Sequence, residues 1–176
     1  DRHPDVAVDI QMGSVQEVYR WVREDKVDMC FASHQEGGNF DWIHLRNDPL
    51  LAILPPGYDL RGCSSLPVSR LEGLDFLMPS LGFHLDIMRA LGDVKPNIQQ
   101  THVNDSVIIS MVEHGLGVSI LSELVLRGRR DNVVAVPLDP PAVRELGIAV
   151  RSKKELRPIA RRFITETKEI LENIPL

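Results

Sequence analysis

The spacing of apolar residues changes period several times along the chain, and each change marks an element. Residues 6–12 alternate, with Val6, Val8, Ile10 and Met12 on one side, which predicts a strand. From Val15 the apolar positions are Val15, Val18, Tyr19 and Val22, the three- and four-residue spacing of one helical face. Ser14 is the expected N-cap of that helix, and Glu17 completes a capping box with it. Trp21 falls off the stripe, on the helix flank. Residues 27–32 form a nearly continuous apolar run broken only by Asp28, the pattern of a parallel strand covered on both faces.

Residues 42–45 and 50–54 predict two further strands separated by a turn at Asp48-Pro49. Pro55-Pro56-Gly57 then ends the second strand, and the chain is expected to cross here from one lobe to another. Residues 68–71 predict a short helical piece, 76–78 a brief strand, 85–91 a helix stopped by Gly92, and 96–103 an extended segment. Ser122 is expected to cap a short helix through Leu126, followed by the basic loop Arg127-Gly128-Arg129-Arg130, a solvated surface. Residues 133–136 and 146–150 predict strands on either side of a second crossing at 137–141. Pro158 suits the first position of a final helix, whose apolar face is expected to be Ile159, Phe163, Ile170 and Ile174.

The stretch from Val103 to Ser122, VNDSVIISMVEHGLGVSILS, organises the rest. Asn104 supplies N-cap chemistry, Ile108, Met111 and Val112 an apolar helical face, and Gly115 the stop. Gly117 then permits another tight backbone move before a buried strand. This helix–Gly-x-Gly–strand pattern resembles the second-lobe signature of the effector-binding domains of LysR-type transcriptional regulators. His3-Pro4-Asp5-Val6, Val27-Asp28-Met29-Cys30-Phe31 and Arg144-Glu145-Leu146-Gly147-Ile148 resemble three further segments of that family, in the same order.

The resemblance implies an α/β fold of two lobes like a type II periplasmic binding protein. Lobe I would comprise residues 1–56 and 138–176, and lobe II residues 57–137. It also implies that the strand and helix opening lobe I are absent, so that residues 6–12 and 27–32 would lose the strand between them. The implied function is ligand sensing: a small-molecule effector bound between the lobes, with the signal passed to a winged-helix DNA-binding domain outside these residues. The implied assembly is a homodimer or higher homo-oligomer, with Glu17 and Trp21 in the interface.

Composition narrows the alternatives. The chain has 176 residues with a net charge of −5, which does not suit a surface that grips nucleic acid directly. No apolar run reaches membrane-spanning length, so no membrane partner is expected. Cys30 lies in an apolar run and reads as a small buried hydrophobe, while Cys63 lies in a loop as a free thiol. Two unpaired cysteines favour a cytoplasmic location. The six histidines show no metal-ligand spacing, although His84 and Asp86 could share a shell. Nucleophile-elbow, phosphate-loop, zinc-protease and dinucleotide motifs are absent, so neither catalytic residues nor a cofactor is assigned.

What remains is a set of turns that end extended segments and open helices, leaving backbone N–H groups to meet a polar ligand. Ser14, Ser80 and Asn104 are the residues the resemblance carries over, joined as candidate effector contacts by Ser33, Pro79 and Ser106. Asp86 and Asp105 would lower the potential there and disfavour a strongly anionic effector. Two other proteins share such an architecture: a transporter's solute-binding protein, and a dehydratase-like enzyme.

Overall fold

The computed structural model describes residues 3–35, 37–79, 84–128 and 132–174. Seven strands and five α-helices are found among them. Helix α1 (Val15–Arg23) leads to strand β1 (Cys30–Ser33) and then to β2 (Asp41–Leu54). After β3 (Leu66–Pro67) a 3-10 turn (Val68–Leu71) leads into β4 (Asp75–Met78), α2 (His84–Leu91) and β5 (Asn97–Gln100). Helix α3 (Asp105–Glu113), β6 (Ser119–Ser122) and α4 (Glu123–Leu126) follow, then β7 (Val134–Val150) and α5 (Pro158–Glu172).

Two long antiparallel strands form the spine. β2 and β7 pair from Asp41–Val150 to Leu54–Val134, with register shifts at His44/Arg46 and Leu50/Leu51. The near half of β7 also pairs with β1, and the far half of β2 pairs with β6. A parallel bridge from Phe76 to Val118 then ties β6 to the parallel pair β4–β5. Each long strand therefore contributes its two halves to different neighbours, and those neighbours have separate cores.

On the far side, alternate residues divide between two clusters. Phe76 and Met78 of β4 pack with Leu50, Ala52 and Leu54 of β2, while Leu77 packs with Ile53, Ile108 and Ile109. Strand side chains alternate in direction, so β4 is covered on both faces. Burying each of these side chains contributes about 1.5–3 kcal/mol. On the near side Tyr19, Val22, Cys30 and Ala149 make one cluster, and Ile43, Ile148, Val150 and Ile164 another. Gly117 lets β6 approach β4: a Cβ at that position would meet the Asp75 carbonyl oxygen at 2.7 Å.

Several expectations need correction. Residues 6–12 form no strand, and Val8, Ile10 and Met12 are 59%, 81% and 88% exposed. A period-two pattern specifies two faces but needs a ladder partner, and these residues have none among the described ones. Within residues 27–32 only Cys30 onward is strand; it runs antiparallel to β7, and Phe31 is 53% exposed rather than covered. Asp48-Pro49 is not a turn but part of β2. Pro49 is tolerated because pairing to β6 starts one residue later, at Leu50. Likewise, the strands expected at 133–136 and 146–150 and the crossing between them run as one strand, β7, which begins at Val134. In α5 the buried residues are Ala160 and Ile164; Ile159, Phe163, Ile170 and Ile174 are all 40% exposed or more.

Candidate functional site

The junction between the two halves of the spine holds a buried polar knot. Asp48 and Arg144 face each other across β2 and β7. The Asp48 carboxylate is fully buried and lies 2.7 Å from the Arg144 guanidinium. Its other oxygen accepts the Leu124 backbone N–H at 3.1 Å. Arg144 also donates to the Ser122 hydroxyl at 3.0 Å. Ser122 holds the N-cap position of α4 as expected, yet its side chain does not cap the helix. Asp48, far away in sequence, takes over that role by binding a first-turn N–H, where negative charge is favoured.

Beside the knot is a cavity of about 490 Å³. α1 contributes Val15 and Val18 to its wall, β1 Phe31 and Ser33, β2 Leu45 and Arg46, α4 Leu124, β7 Arg144 and Leu146, and α5 Thr167 and Leu171. Ser33 closes β1 and is fixed from both sides. The Tyr19 hydroxyl donates to the Ser33 carbonyl at 3.0 Å, and the next residue, His34, donates its N–H to the Glu145 carbonyl at 2.9 Å. Burial pushes the Tyr19 phenol up to about 12, so it remains a neutral donor. The Ser33 hydroxyl and the Arg46 Nε are both buried and have no hydrogen-bond partner among the described residues.

The sequence-predicted residues are spread over both sides of the junction. Ser33 is in the cavity wall, and Ser14 is next to Gly13, which is also in it. The Ser14 hydroxyl is engaged in the capping box: it donates to Glu17 at 2.7 Å and accepts the Glu17 N–H at 3.4 Å. The Ser14 backbone N–H in turn holds the exposed Glu17 carboxyl below its ordinary value. Pro79 is buried just beyond β4. Thr101, just beyond β5, donates its hydroxyl to the Met78 carbonyl at 2.7 Å, so Pro79 and the turn before α3 share one edge. Asn104 accepts the Val107 N–H at 3.1 Å as the cap of α3, and Ser106 is exposed in its first turn. Pro79, Asn104 and Ser106 do not line the 490 Å³ cavity. Ser80 lies outside the described residues.

Trp21 is half-buried, and its ring lies across Gly13 so closely that a Cβ there would meet the ring at 2.8 Å. The sequence signalled none of Arg46, Asp48 or Arg144 as site residues. Arg46 and Asp48 belong to the polar triplet Arg46-Asn47-Asp48 and Arg144 stands beside Glu145, so locally they look like ordinary loop or surface polarity. His84 and Asp86 form no metal cluster, none being found among the described residues, and Asp86 lies 4.0 Å from Arg89. No helix among those residues is long and apolar enough to cross a membrane.

Comparison with known proteins agrees with this architecture. The regulatory domain of CcmR from Synechocystis PCC6803, in complex with 2-PG, superposes with a TM-score of 0.86 at 20% identity, covering 99% of this chain and 88% of that one. The effector binding domain of QuiR, in complex with shikimate, gives a TM-score of 0.82 at 16% identity, covering 100% and 87%. Both show the two-lobe fold resembling periplasmic binding proteins. In sequence the chain is 28% identical over 175 residues to the HTH-type transcriptional regulator YvbU of Bacillus subtilis, and 23% identical over 180 residues to the Hca operon transcriptional activator HcaR of Escherichia coli. It covers 96% and 98% of its own length in those alignments, but spans only 59% and 61% of the two regulators. Residues 1–172 match the family described as the LysR substrate binding domain, and the chain belongs to that family.

Proposed function

We propose that this chain is the sensing part of a LysR-type transcriptional regulator, in which a small-molecule effector lodges where the two lobes meet. The cavity beside the Asp48–Arg144 knot carries this reading: its wall combines Val18, Ser33 and Thr167 from one side of the junction with Leu124 from the other. A ligand touching both sides favours one relative placement of the lobes over another, which is how binding energy becomes a conformational signal. Bound small molecules in the regulatory domains of CcmR and QuiR support the kind of ligand. The lobes on this reading are residues 1–56 with 138–176, and 57–137. Ser14, Ser33, Pro79, Ser80, Asn104 and Ser106 face the ligand as the lobes close.

The readout is DNA occupancy by a winged-helix domain elsewhere in the protein, in the cytoplasm, with no chemistry done on the ligand. The regulators that share the sequence support this, as does the negative charge of the chain, which makes direct DNA contact by this part unfavourable. The protein works as a homodimer or higher homo-oligomer, with Glu17 and Trp21 of α1 in the contact. The test is a thermal-shift screen of metabolites. A ligand at a hundred times its Kd should stabilise the domain by about 2.7 kcal/mol. Ser14→Trp should abolish binding of the best ligand in titration calorimetry while the protein stays folded; unchanged affinity would contradict the placement of the site.

A further inference from the structure

The packing of β2 and β7 does not divide where the chain is expected to cross between lobes. Leu50, Ala52 and Leu54 of β2 and Leu138 of β7 are buried in one far-side cluster with Leu66 and Phe76, and Val136 and Ala142 pack against it. Ile43, Ile148 and Val150 are buried instead with Ile164 of α5, and Leu45 packs against those. Polar contacts narrow the dividing line. Asp48 holds the Leu124 N–H of α4 and Arg144 holds the Ser122 hydroxyl of β6, which ties this pair to lobe II. One residue on, the Glu145 carbonyl accepts the His34 N–H at 2.9 Å, and Leu146 pairs with Ser33 of β1, both in lobe I. Gly147 lies under the Trp42 ring with no room for a Cβ, which holds it to lobe I as well. Along β7 the change therefore falls at the peptide between Arg144 and Glu145. Asp48 faces Arg144 and Asn47 faces Glu145, so on β2 it falls between Asn47 and Asp48.

We infer that the lobes pivot at this line, on residues 45–47 of β2 and the Arg144–Glu145 peptide of β7, and that the Asp48–Arg144 knot moves with lobe II. Residues 48–54 and 134–144 are then carried by lobe II, so the mechanical boundary is displaced from the expected crossings at 55–57 and 137–141. The inference rests on the sensing reading for the use of the movement, and on packing for its place. His44 faces Gly147 and Arg46 faces Leu146, so Leu45 is an extra residue without a ladder partner. A bulge of this kind interrupts pairing and lets a strand bend. Hinges are a few residues that absorb backbone change while the packed bodies on either side stay rigid. The Leu50/Leu51 shift does not suit a hinge. Leu50 and Ala142 on one side of it share a cluster with Ala52 and Val136 on the other, and Leu138 in its excursion pairs with Leu66 of β3. Leu45, Arg46, Arg144 and Leu146 also line the 490 Å³ cavity, so whatever fills it bears on the pivot itself.

Amide residual dipolar couplings of the ligand-free protein in a dilute liquid-crystal medium test this, because they report the alignment of each peptide plane. The couplings should require two alignment tensors, one for each lobe. Residues 41–44 and 147–150 should fit the lobe I tensor, and residues 48–54 and 134–144 the lobe II tensor. A single tensor for the whole chain, or a changeover at the Leu50/Leu51 shift or at residues 55–57, would overturn the inference. Asp48→Asn tests the role of the knot, since an amide cannot serve both Arg144 and the Leu124 N–H as a carboxylate does. The changeover should then slip along β2 to the Leu50/Leu51 shift. If D48N does not fold, S122A decides: it removes the hydroxyl that Arg144 holds, and Asp48 and Arg144 should cease to fit the lobe II tensor. A changeover that stays between Asn47 and Asp48 in the variant that folds would overturn the knot's part in it. These failures leave the sensing reading standing, since that reading falls only if no metabolite stabilises the domain.

Discussion

At the scale of single residues, the most consequential side chain is Asp48. It is fully buried, neutralises Arg144 and caps α4 from a distance. Asp48→Ala would leave a buried guanidinium without its countercharge and a helix start without its acceptor. The expected loss is about 3 kcal/mol in urea denaturation, the range for breaking a buried pair from one side. A loss indistinguishable from zero would mean that water satisfies Arg144 as well as Asp48 does. The two cysteines give a second residue-scale prediction. Burial pushes the Cys30 thiol up to about 11, whereas Cys63 is exposed. A raised thiol pKa means the reactive thiolate is scarce below it, so at about pH 8 roughly one part in a thousand of Cys30 is ionised even when reagent can reach it. A chromogenic disulfide reagent should therefore titrate one thiol in the folded protein and two in denaturant. Two fast thiols in the folded state would contradict the burial of Cys30.

At the scale of elements, what the sequence made legible was local. Ser14 with Glu17, Asn104 before α3 and Pro158 at the start of α5 each signal a helix start through contacts within a few residues, and all three helices begin where expected. The failures involve partners that periodicity does not encode. Residues 6–12 have the alternation of a strand but no neighbour to pair with among the described residues. In α5 the apolar face expected at Ile159, Phe163, Ile170 and Ile174 stays largely exposed, and packing buries Ala160 and Ile164 instead. The Asp48–Arg144 pair joins residues 96 positions apart, so nothing near either residue announces it. Gly117 was legible as a tight backbone move but not as the close approach to β4 that it makes, and Gly117→Ala tests that approach directly. Its methyl group would meet the Asp75 carbonyl at 2.7 Å, which should cost about 1–3 kcal/mol as a shift in urea midpoint. The α1 surface carries the assembly proposal. Trp21→Glu should shift sedimentation from dimer to monomer, since a buried interfacial Trp often contributes about 2 kcal/mol or more. An unchanged dimer would remove α1 from the contact.

At the scale of the whole molecule, the two long strands decide what the fold can do. β2 and β7 each run through both halves, so the halves are joined by paired backbone rather than by a loose linker. Register shifts at His44/Arg46 and Leu50/Leu51 interrupt that ladder on either side of the knot. Bulges bend and twist strands locally, which suits a junction that must hold two lobes at an angle. A ligand at this junction acts on both lobes at once, whereas one bound within either core would act on one. The most direct test is amide chemical-shift mapping of the domain with the metabolite that gives the largest thermal shift. The account predicts perturbations concentrated at Gly13, Val18, Ser33, Arg46, Arg144 and Leu146, on both sides of the junction. Perturbations confined to β5 and the 3-10 turn, with those six residues unmoved, would contradict it.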